Sequence, residues 1–104
     1  MKKILLSCSA GMSTSLLVSK MKDVAEQQEI SVQIEAVSSD NAFSMLNDYD
    51  VLLIGPQMRF MKRKFEKYIK DQSIDIPIDI IDTVAYGRID GAGVLKQALN
   101  LIGD

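Results

Sequence analysis

Residues 4–15 read ILLSCSAGMSTS, and this stretch decides the fold. Residues 4–6 form a continuous apolar run, which is typical of a strand covered on both faces. The residues after them are small and include Gly11. An apolar stripe at helical spacing then predicts a helix over residues 14–28. A buried strand, a turn of small residues and a helix are typical of the opening of an open α/β domain.

Further strands and helices alternate along the rest of the chain. Residues 51–54 are a second fully apolar run. Residues 32–36 alternate apolar and polar side chains, and residues 78–81 include a charged side chain. These two mixed segments are therefore predicted to be edge strands. Helices are predicted over residues 57–70 and near the end of the chain. Asp40 is expected to cap a short helix that buries Phe43 and Leu46.

This order, βαβαβαβα, predicts an open four-stranded parallel sheet with right-handed crossovers and helices on both faces. Placing the two apolar strands in the centre gives the strand order 2-1-3-4. The expected architecture is similar to that of the low-molecular-weight tyrosine phosphatases. A topological switch point then lies between strands 1 and 3, and segments 8–15, 55–57 and 82–91 meet there, where open α/β sheets bind ligands.

Composition restricts the classes of function. A chain of 104 residues with 47% hydrophobic residues is expected to form a single domain over residues 1–104, without metal or cofactor. Its single cysteine cannot form an internal disulfide, and the first apolar run is too short for a signal peptide or a membrane span, so we expect a cytoplasmic protein. The net charge of -2 and the lack of histidine argue against nucleic-acid binding and exclude a histidine base or metal ligand.

The loop after the first strand contains the candidate nucleophile, Cys8. Small residues allow successive backbone amides to point inward and form an anion site at the start of a helix, while the hydroxyls offer donors and a choice of helix cap. The same field would stabilise a thiolate, which suits a cysteine that accepts a phosphoryl group. The alternative is a buried structural cysteine before a Ser-capped helix. The candidate phosphate-binding residues are Ser9, Ala10, Gly11, Met12, Ser13, Thr14 and Ser15.

Two related kinds of loop contain a charged residue that this loop lacks. A nucleotide-binding P-loop requires a lysine before its final Ser or Thr, and residues 13–15 have none. The low-molecular-weight tyrosine phosphatases also have a cysteine after strand 1, with an arginine at the position that Thr14 occupies here. That arginine clamps the phosphate and stabilises the transition state for hydrolysis. Its absence favours a site that holds a phosphoryl group and passes it on.

Three segments in register resemble enzyme IIB of the bacterial phosphoenolpyruvate-dependent sugar phosphotransferase system, lactose/cellobiose class. They are CSAGMSTSLLV from residue 8, LIGPQ from residue 53 and YGRIDGAGVL from residue 86, and the resemblance covers essentially the whole chain. It implies that Cys8 accepts phosphate from a phosphohistidine of enzyme IIA. Cys8 would then pass the phosphate to a β-glucoside or related disaccharide held by the membrane permease, enzyme IIC.

Other residues are candidates for supporting roles. Gln57, Asp82 and Tyr86 are expected beside the site, where they would support the phosphate-binding residues or contact a partner. Asp82 is more suited to capping than to acid catalysis. Met12, Met58 and Phe60 would lie on or beside the rim of the site. Exposure is expected for Met12 and Phe60, which suits an apolar rim for docking, whereas Met58 is equally well explained as a core residue. The basic residues between 59 and 70 form either a solvated helix face or a surface that steers an acidic partner.

We therefore expect a monomeric phosphotransferase subunit with no nucleic-acid partner. Two alternatives use the same fold. One is a thiol-dependent phosphatase or reductase, against which the missing arginine argues. The other is a non-catalytic, flavodoxin-like binding module, which would not need Cys8.

Overall fold

A computed structural model describes residues 1–8 and 12–103 of the chain, with the side chains of Met12 and Ser13 excepted. It confirms the α/β class and an all-parallel sheet with the strand order β2-β1-β3-β4. The strands are β1 (Lys2–Ser7), β2 (Val32–Val37), β3 (Val51–Ile54) and β4 (Ile78–Ile80).

Five α-helices follow the strands within the described residues: α1 (Met12–Gln27), α2 (Ser39–Ala42), α3 (Lys62–Asp71), α4 (Thr83–Gly87) and α5 (Gly91–Ile102). Two 3-10 segments, Phe43–Asp48 and Pro56–Met61, precede β3 and α3. No described helix is both long and apolar enough to cross a bilayer.

The two central strands are buried on both faces, as their apolar runs predict. Side chains of alternate residues point to opposite faces of a strand. Ile4 and Leu6 therefore pack on one face under α1 and α5, and Leu5 packs on the other face with the side chains of α3 and the 3-10 segment before β3. The predicted edge positions of β2 and β4 are confirmed.

An aromatic cluster completes the core beneath α3. Phe65 is fully buried, and its ring stacks on Phe43 with centroids 4.4 Å apart. Tyr68 meets Phe43 edge-on at 5.1 Å. Such pairs contribute about 0.5–1.5 kcal/mol beyond the area that they bury, so these rings hold α3 firmly against the sheet.

Several predicted element boundaries were wrong. Helix α1 begins at Met12, so Ser13, Thr14 and Ser15 lie inside its first turns and do not precede it as caps. Asp40 does not cap α2, because Ser38 occupies the N-cap position and Asp40 lies in the first turn.

The helix predicted over residues 57–70 starts as the 3-10 segment Pro56–Met61 and becomes α-helical only at Lys62. Helix α4 lies in segment 82–91, for which no helix is predicted from the sequence.

Helix α5 packs directly on the backbone of α1 through Gly91. An ideal Cβ at Gly91 would lie 2.6 Å from the carbonyl carbon of Lys20 and 2.8 Å from the amide nitrogen of Met21. These are backbone atoms, which cannot move aside as the end of a flexible side chain can. Gly91 thus sets the distance between the two helices that cover this face.

We expect Gly91→Ala to destabilise the protein by about 1–3 kcal/mol, the usual cost of overpacking, because its methyl group would push α5 away from α1. Gly87 is the matched control, since nothing lies within 4 Å of a Cβ placed there. Gly87→Ala should be neutral or stabilise by up to about 1 kcal/mol. Urea denaturation of both variants measures the difference, and equal free energies of unfolding would contradict the close approach.

Candidate active site

Cys8 lies at the carboxyl end of the central strand β1, at the predicted switch point. It is the first residue after the strand, and its amide donates a hydrogen bond to the carbonyl of Val37 at 3.2 Å, where β2 ends. Its side chain is only 3% exposed and belongs to the core beneath α1 and α5. The backbone on one side of Cys8 is therefore held by the sheet.

Gly55 brings the end of β3 against the sulfur. Its amide donates to the carbonyl of Ser7 at 2.8 Å, which extends the β1–β3 pairing by one residue. An ideal Cβ on Gly55 would lie 3.0 Å from Cys8 Sγ and 3.0 Å from Gln57 Oε1. Only glycine leaves these groups undisturbed, and the Gly55 backbone beside the sulfur acts to lower the pKa of the thiol.

A chain of hydrogen bonds links Cys8 to Tyr86 and Gln57. The side chain of Thr14, 6% exposed in the first turn of α1, is hydrogen-bonded to Cys8. Thr14 Oγ1 lies 3.4 Å from the hydroxyl of Tyr86, and Gln57 Nε2 donates to that hydroxyl at 2.9 Å. The structure thus brings together residues that follow β1, β3 and β4, as the switch point predicts.

Helix α4 places Tyr86 in this network. Asp82 is its N-cap: the Asp82 carboxylate accepts a hydrogen bond from the Val84 amide at 3.0 Å, and the Asp82 amide donates to Gln97 Oε1 at 2.9 Å. The capping role expected for Asp82 is therefore confirmed. Asp82, a residue type that favours N-caps, stands two residues before the apolar pair Val84 and Ala85. This was the sequence signal for α4 that the prediction missed.

A tight turn holds α4 against α5. Ile89 has a φ of 52°, a left-handed conformation that is uncommon for a β-branched residue and costs on the order of 1–3 kcal/mol. The amide of Ile89 donates to the carbonyl of Tyr86 at 3.1 Å, and the Asp90 amide donates to that of Ala85 at 2.8 Å. Asp90 also caps α5 by accepting from the Gly93 amide at 3.0 Å. The position of Tyr86 is thus tied to the helix that packs on α1.

Part of the predicted loop lies outside the described residues. This holds for Ser9, Ala10 and Gly11 entirely, and for the side chains of Met12 and Ser13. Ser15 is described and is exposed on α1. The anion site formed by the loop amides stays a prediction.

Burial raises the pKa of the Cys8 thiol above its ordinary value of 9.0, while hydrogen bonds from Thr14 and Gly55 act in the opposite direction. The sequence led us to expect a stabilised thiolate, and the described surroundings give the opposite balance. The low polarity of the core around the sulfur disfavours the charged form. Among the described surroundings, burial therefore favours the neutral thiol over the thiolate.

Three of the four large apolar side chains that are exposed in the described residues belong to the helical segments that follow β1, β3 and β4. They are Leu16, Phe60 and Val84, at 49%, 65% and 62% exposure, and the fourth, Met1, precedes β1. The exposure predicted for Phe60 is confirmed, whereas Met58 is partly buried against the core. Within the part of the chain that the structure describes, no cluster of acidic or cysteine side chains could hold a metal ion.

Comparison with known proteins agrees with this architecture. The family described as "PTS system, Lactose/Cellobiose specific IIB subunit" matches residues 3–97. The chain is 46% identical over 102 residues to the oligo-beta-mannoside-specific EIIB component of Bacillus subtilis strain 168, covering 98% of this chain and 97% of that one. It is 42% identical to the cellobiose-specific EIIB component of Lactococcus lactis subsp. lactis, covering 97% and 96%.

Two solved structures share the fold. The solution structure of a cellobiose-specific IIB component from Borrelia burgdorferi has a TM-score of 0.80 and 40% identity, covering 97% of this chain and 91% of that one. The lactose-specific IIB domain from Streptococcus pneumoniae also has a TM-score of 0.80, at 18% identity and with 96% of each chain covered, which shows the likeness of the fold alone.

The pKa of Cys8 gives a test of the site. Because burial raises it above 9.0, the rate of alkylation by iodoacetamide should rise about tenfold per pH unit up to a midpoint above 9.0, since only the thiolate reacts. Thr14→Val removes a hydrogen bond that lowers the pKa and should move the midpoint upward. The urea-denatured protein is the control and should show the ordinary thiol value. A native midpoint below 9.0 would contradict the dominance of burial.

Proposed function

This chain belongs to the lactose/cellobiose-specific IIB family of the sugar phosphotransferase system, and from that premise we propose that it carries a phosphoryl group on Cys8. The observation that supports this most directly is the position of the thiol. Cys8 is the first residue after a central strand, at the switch point, with the Gly55 backbone against its sulfur and the Thr14 hydroxyl placed to favour its charged form.

In the first proposed step, Cys8 Sγ attacks the phosphorus of a phosphohistidine on enzyme IIA. The sulfur–phosphorus bond forms as the nitrogen–phosphorus bond breaks, and the thiol proton passes to solvent or to the released imidazole. The hydrogen bonds from Thr14 and Gly55 favour the negative charge that develops on the sulfur. They therefore lower the barrier that burial of the thiol raises.

In the second step, a hydroxyl of a sugar held by enzyme IIC attacks the same phosphorus. The sulfur–phosphorus bond breaks, the thiolate leaves, and the hydroxyl proton passes to a base or to solvent. The loop of residues 9–15 is proposed to bind the phosphoryl oxygens during both steps, through amides at the start of α1. Gln57 and Tyr86 act through Thr14 and hold its hydroxyl in place.

The proposed partners are phosphorylated enzyme IIA and the membrane permease enzyme IIC, which a cytoplasmic, monomeric single-domain protein meets in turn. The exposed Leu16, Phe60 and Val84 support docking near Cys8, since they lie on the helical segments that follow β1, β3 and β4, and exposed apolar side chains are suited to an interaction surface. The substrate class is a β-glucoside or related disaccharide. Relatives of similar identity are named as specific for oligo-beta-mannoside, galactose and cellobiose, so sequence identity favours no one of these sugars.

Cys8→Ser should fold like the wild type and accept no phosphate from phosphorylated enzyme IIA, because a hydroxyl is far less nucleophilic at neutral pH. The measurement is phosphate transfer from labelled enzyme IIA, followed by mapping of the modified residue. Ser19→Ala, a change on the exposed surface of α1 outside the proposed phosphate-binding loop, is the control and should still be labelled on Cys8. Stoichiometric labelling of Cys8→Ser at another residue would end the proposal.

The lifetime of the phosphocysteine separates a carrier from a phosphatase. Because Thr14 stands in place of an arginine, purified phosphoprotein should decay slowly alone and discharge quickly once enzyme IIC and sugar are added. A positioned arginine can accelerate phosphoryl transfer by about 10³-fold or more, so Thr14→Arg should shorten the lifetime in water. Hydrolysis of the wild-type intermediate at the rate of a phosphatase turnover would replace the carrier with the phosphatase alternative.

A further inference from the structure

The largest cluster of basic residues in the sequence lies along α3 and the 3-10 segment before it, where Glu66 is the one acidic residue among positions 59–70. Six of the twelve Lys and Arg residues of the chain fall within residues 59–70, although the chain as a whole has a net charge of -2. We call this surface the basic flank, and it consists of Arg59, Lys62, Arg63, Lys64, Lys67 and Lys70.

The basic flank faces away from the core. Met61 and Phe65 bury the opposite side of the same segment, at 8% and 0% exposure. Five of the six basic residues are exposed and Lys62 is partly so. One of the charges is compensated, because Lys67 Nζ lies 2.8 Å from the carboxylate of Asp71. Most of the basic side chains of the flank are therefore exposed to solvent and do not contribute to the packing of the core.

The flank begins at the edge that holds Cys8. Arg59 lies two residues after Gln57, and its Nε donates to the carbonyl of Pro56 at 3.1 Å, which fixes the start of the flank beside the site. The neighbouring Phe60 is 65% exposed. A partner that reaches Cys8 thus meets the basic flank at the same time.

Topology gives the direction in which the flank extends. Strands β3 and β4 are parallel, so α3 must run back from the active-site edge to the opposite edge of the sheet. At 1.5 Å per residue, Lys70 lies roughly 16 Å farther along the axis than Arg59. A partner must therefore cover both the edge and the side of the molecule to use the whole flank.

This geometry distinguishes between two kinds of binding partner, an anionic membrane and an acidic protein. If the Cys8 edge faced a flat anionic membrane, only the start of the flank would interact with it, because the far end would be farther from the membrane than the screening length of about 8 Å at physiological salt. A folded acidic protein can contact both surfaces at once. We propose that the basic flank attracts and docks the acidic surface of the phosphorylated histidine protein that charges Cys8, an inference that rests on the proposed function.

Paired substitutions test the proposal in the full chain. Arg63→Gln/Lys64→Gln removes two charges near the edge, and Lys67→Gln/Lys70→Gln removes two at the far end. Lys22→Gln/Lys96→Gln is the matched control, since both lysines are exposed on α1 and α5, which cover the other face of the sheet. The measurement is kcat/KM for phosphate transfer from phosphorylated enzyme IIA at increasing salt concentration.

We expect each flank pair to lower kcat/KM by about threefold to tenfold at low salt, with kcat unchanged, because charge complementarity acts mainly on association. The difference from the wild type should disappear at high salt, and the control pair should behave like the wild type. Three results would overturn the proposal. They are a control pair that lowers kcat/KM as much as the flank pairs, a decrease of kcat/KM in the Arg63/Lys64 pair alone, or a decrease of kcat in the flank variants.

Two further measurements separate the possible failures. Sedimentation with phosphatidylglycerol vesicles reports on membrane binding: binding lost in both flank variants, with donor transfer unaffected, would assign the flank to the membrane and overturn the proposal. Labelling of wild-type Cys8 at any salt concentration reports on the proposed function. Absence of that labelling would refute the carrier role itself, whereas normal labelling in all variants would refute only the role of the flank.

Discussion

The backbone of Gly55 approaches the Cys8 sulfur so closely that the first carbon of any side chain there would lie 3.0 Å from Sγ. This approach depends on the pairing of β1 with β3 in the centre of the sheet, which continues past both strands through the bond from the Gly55 amide to the Ser7 carbonyl. A different strand order would separate Cys8 from Gly55. The site is therefore a consequence of the sheet topology, and the apolar runs that bury β1 and β3 are also what bring its two central residues together.

The third side of the site depends on helix packing on one face of the sheet. Gly91 lets α5 lie against the backbone of α1, and the turn at Ile89 holds α4 to the start of α5. Tyr86 is thereby placed where its hydroxyl meets both Thr14 and Gln57. Movement of α5 would be transmitted to the thiol through Tyr86 and Thr14, so the packing of two helices far along the chain contributes to the geometry at Cys8.

Sequence reasoning predicted the features that rest on long apolar patterns and missed those that rest on a few residues. The sheet order and the edge strands follow from continuous and alternating runs, and both are confirmed. Helix α4 has only five residues, too few for a helical period to show. Ser38 and Asp40 are both residues that favour N-caps, and no local pattern distinguishes them. Gln57 and Tyr86 were expected near the site, but their shared hydrogen bond depends on α4.

The ionisation of Cys8 could not be predicted from position alone, because two opposite effects act on it. A helix start favours the thiolate, whereas the core around the sulfur favours the neutral thiol, and only the structure shows that burial is the larger effect among the described residues. For the proposed carrier this balance has a use. A thiolate is a poorer leaving group the higher its pKa, so burial would slow the loss of the phosphoryl group to water. The hydrogen bonds from Thr14 and Gly55 lower the thiol pKa and so partly offset the effect of burial. The thiolate can therefore still leave when a positioned sugar hydroxyl attacks the phosphorus.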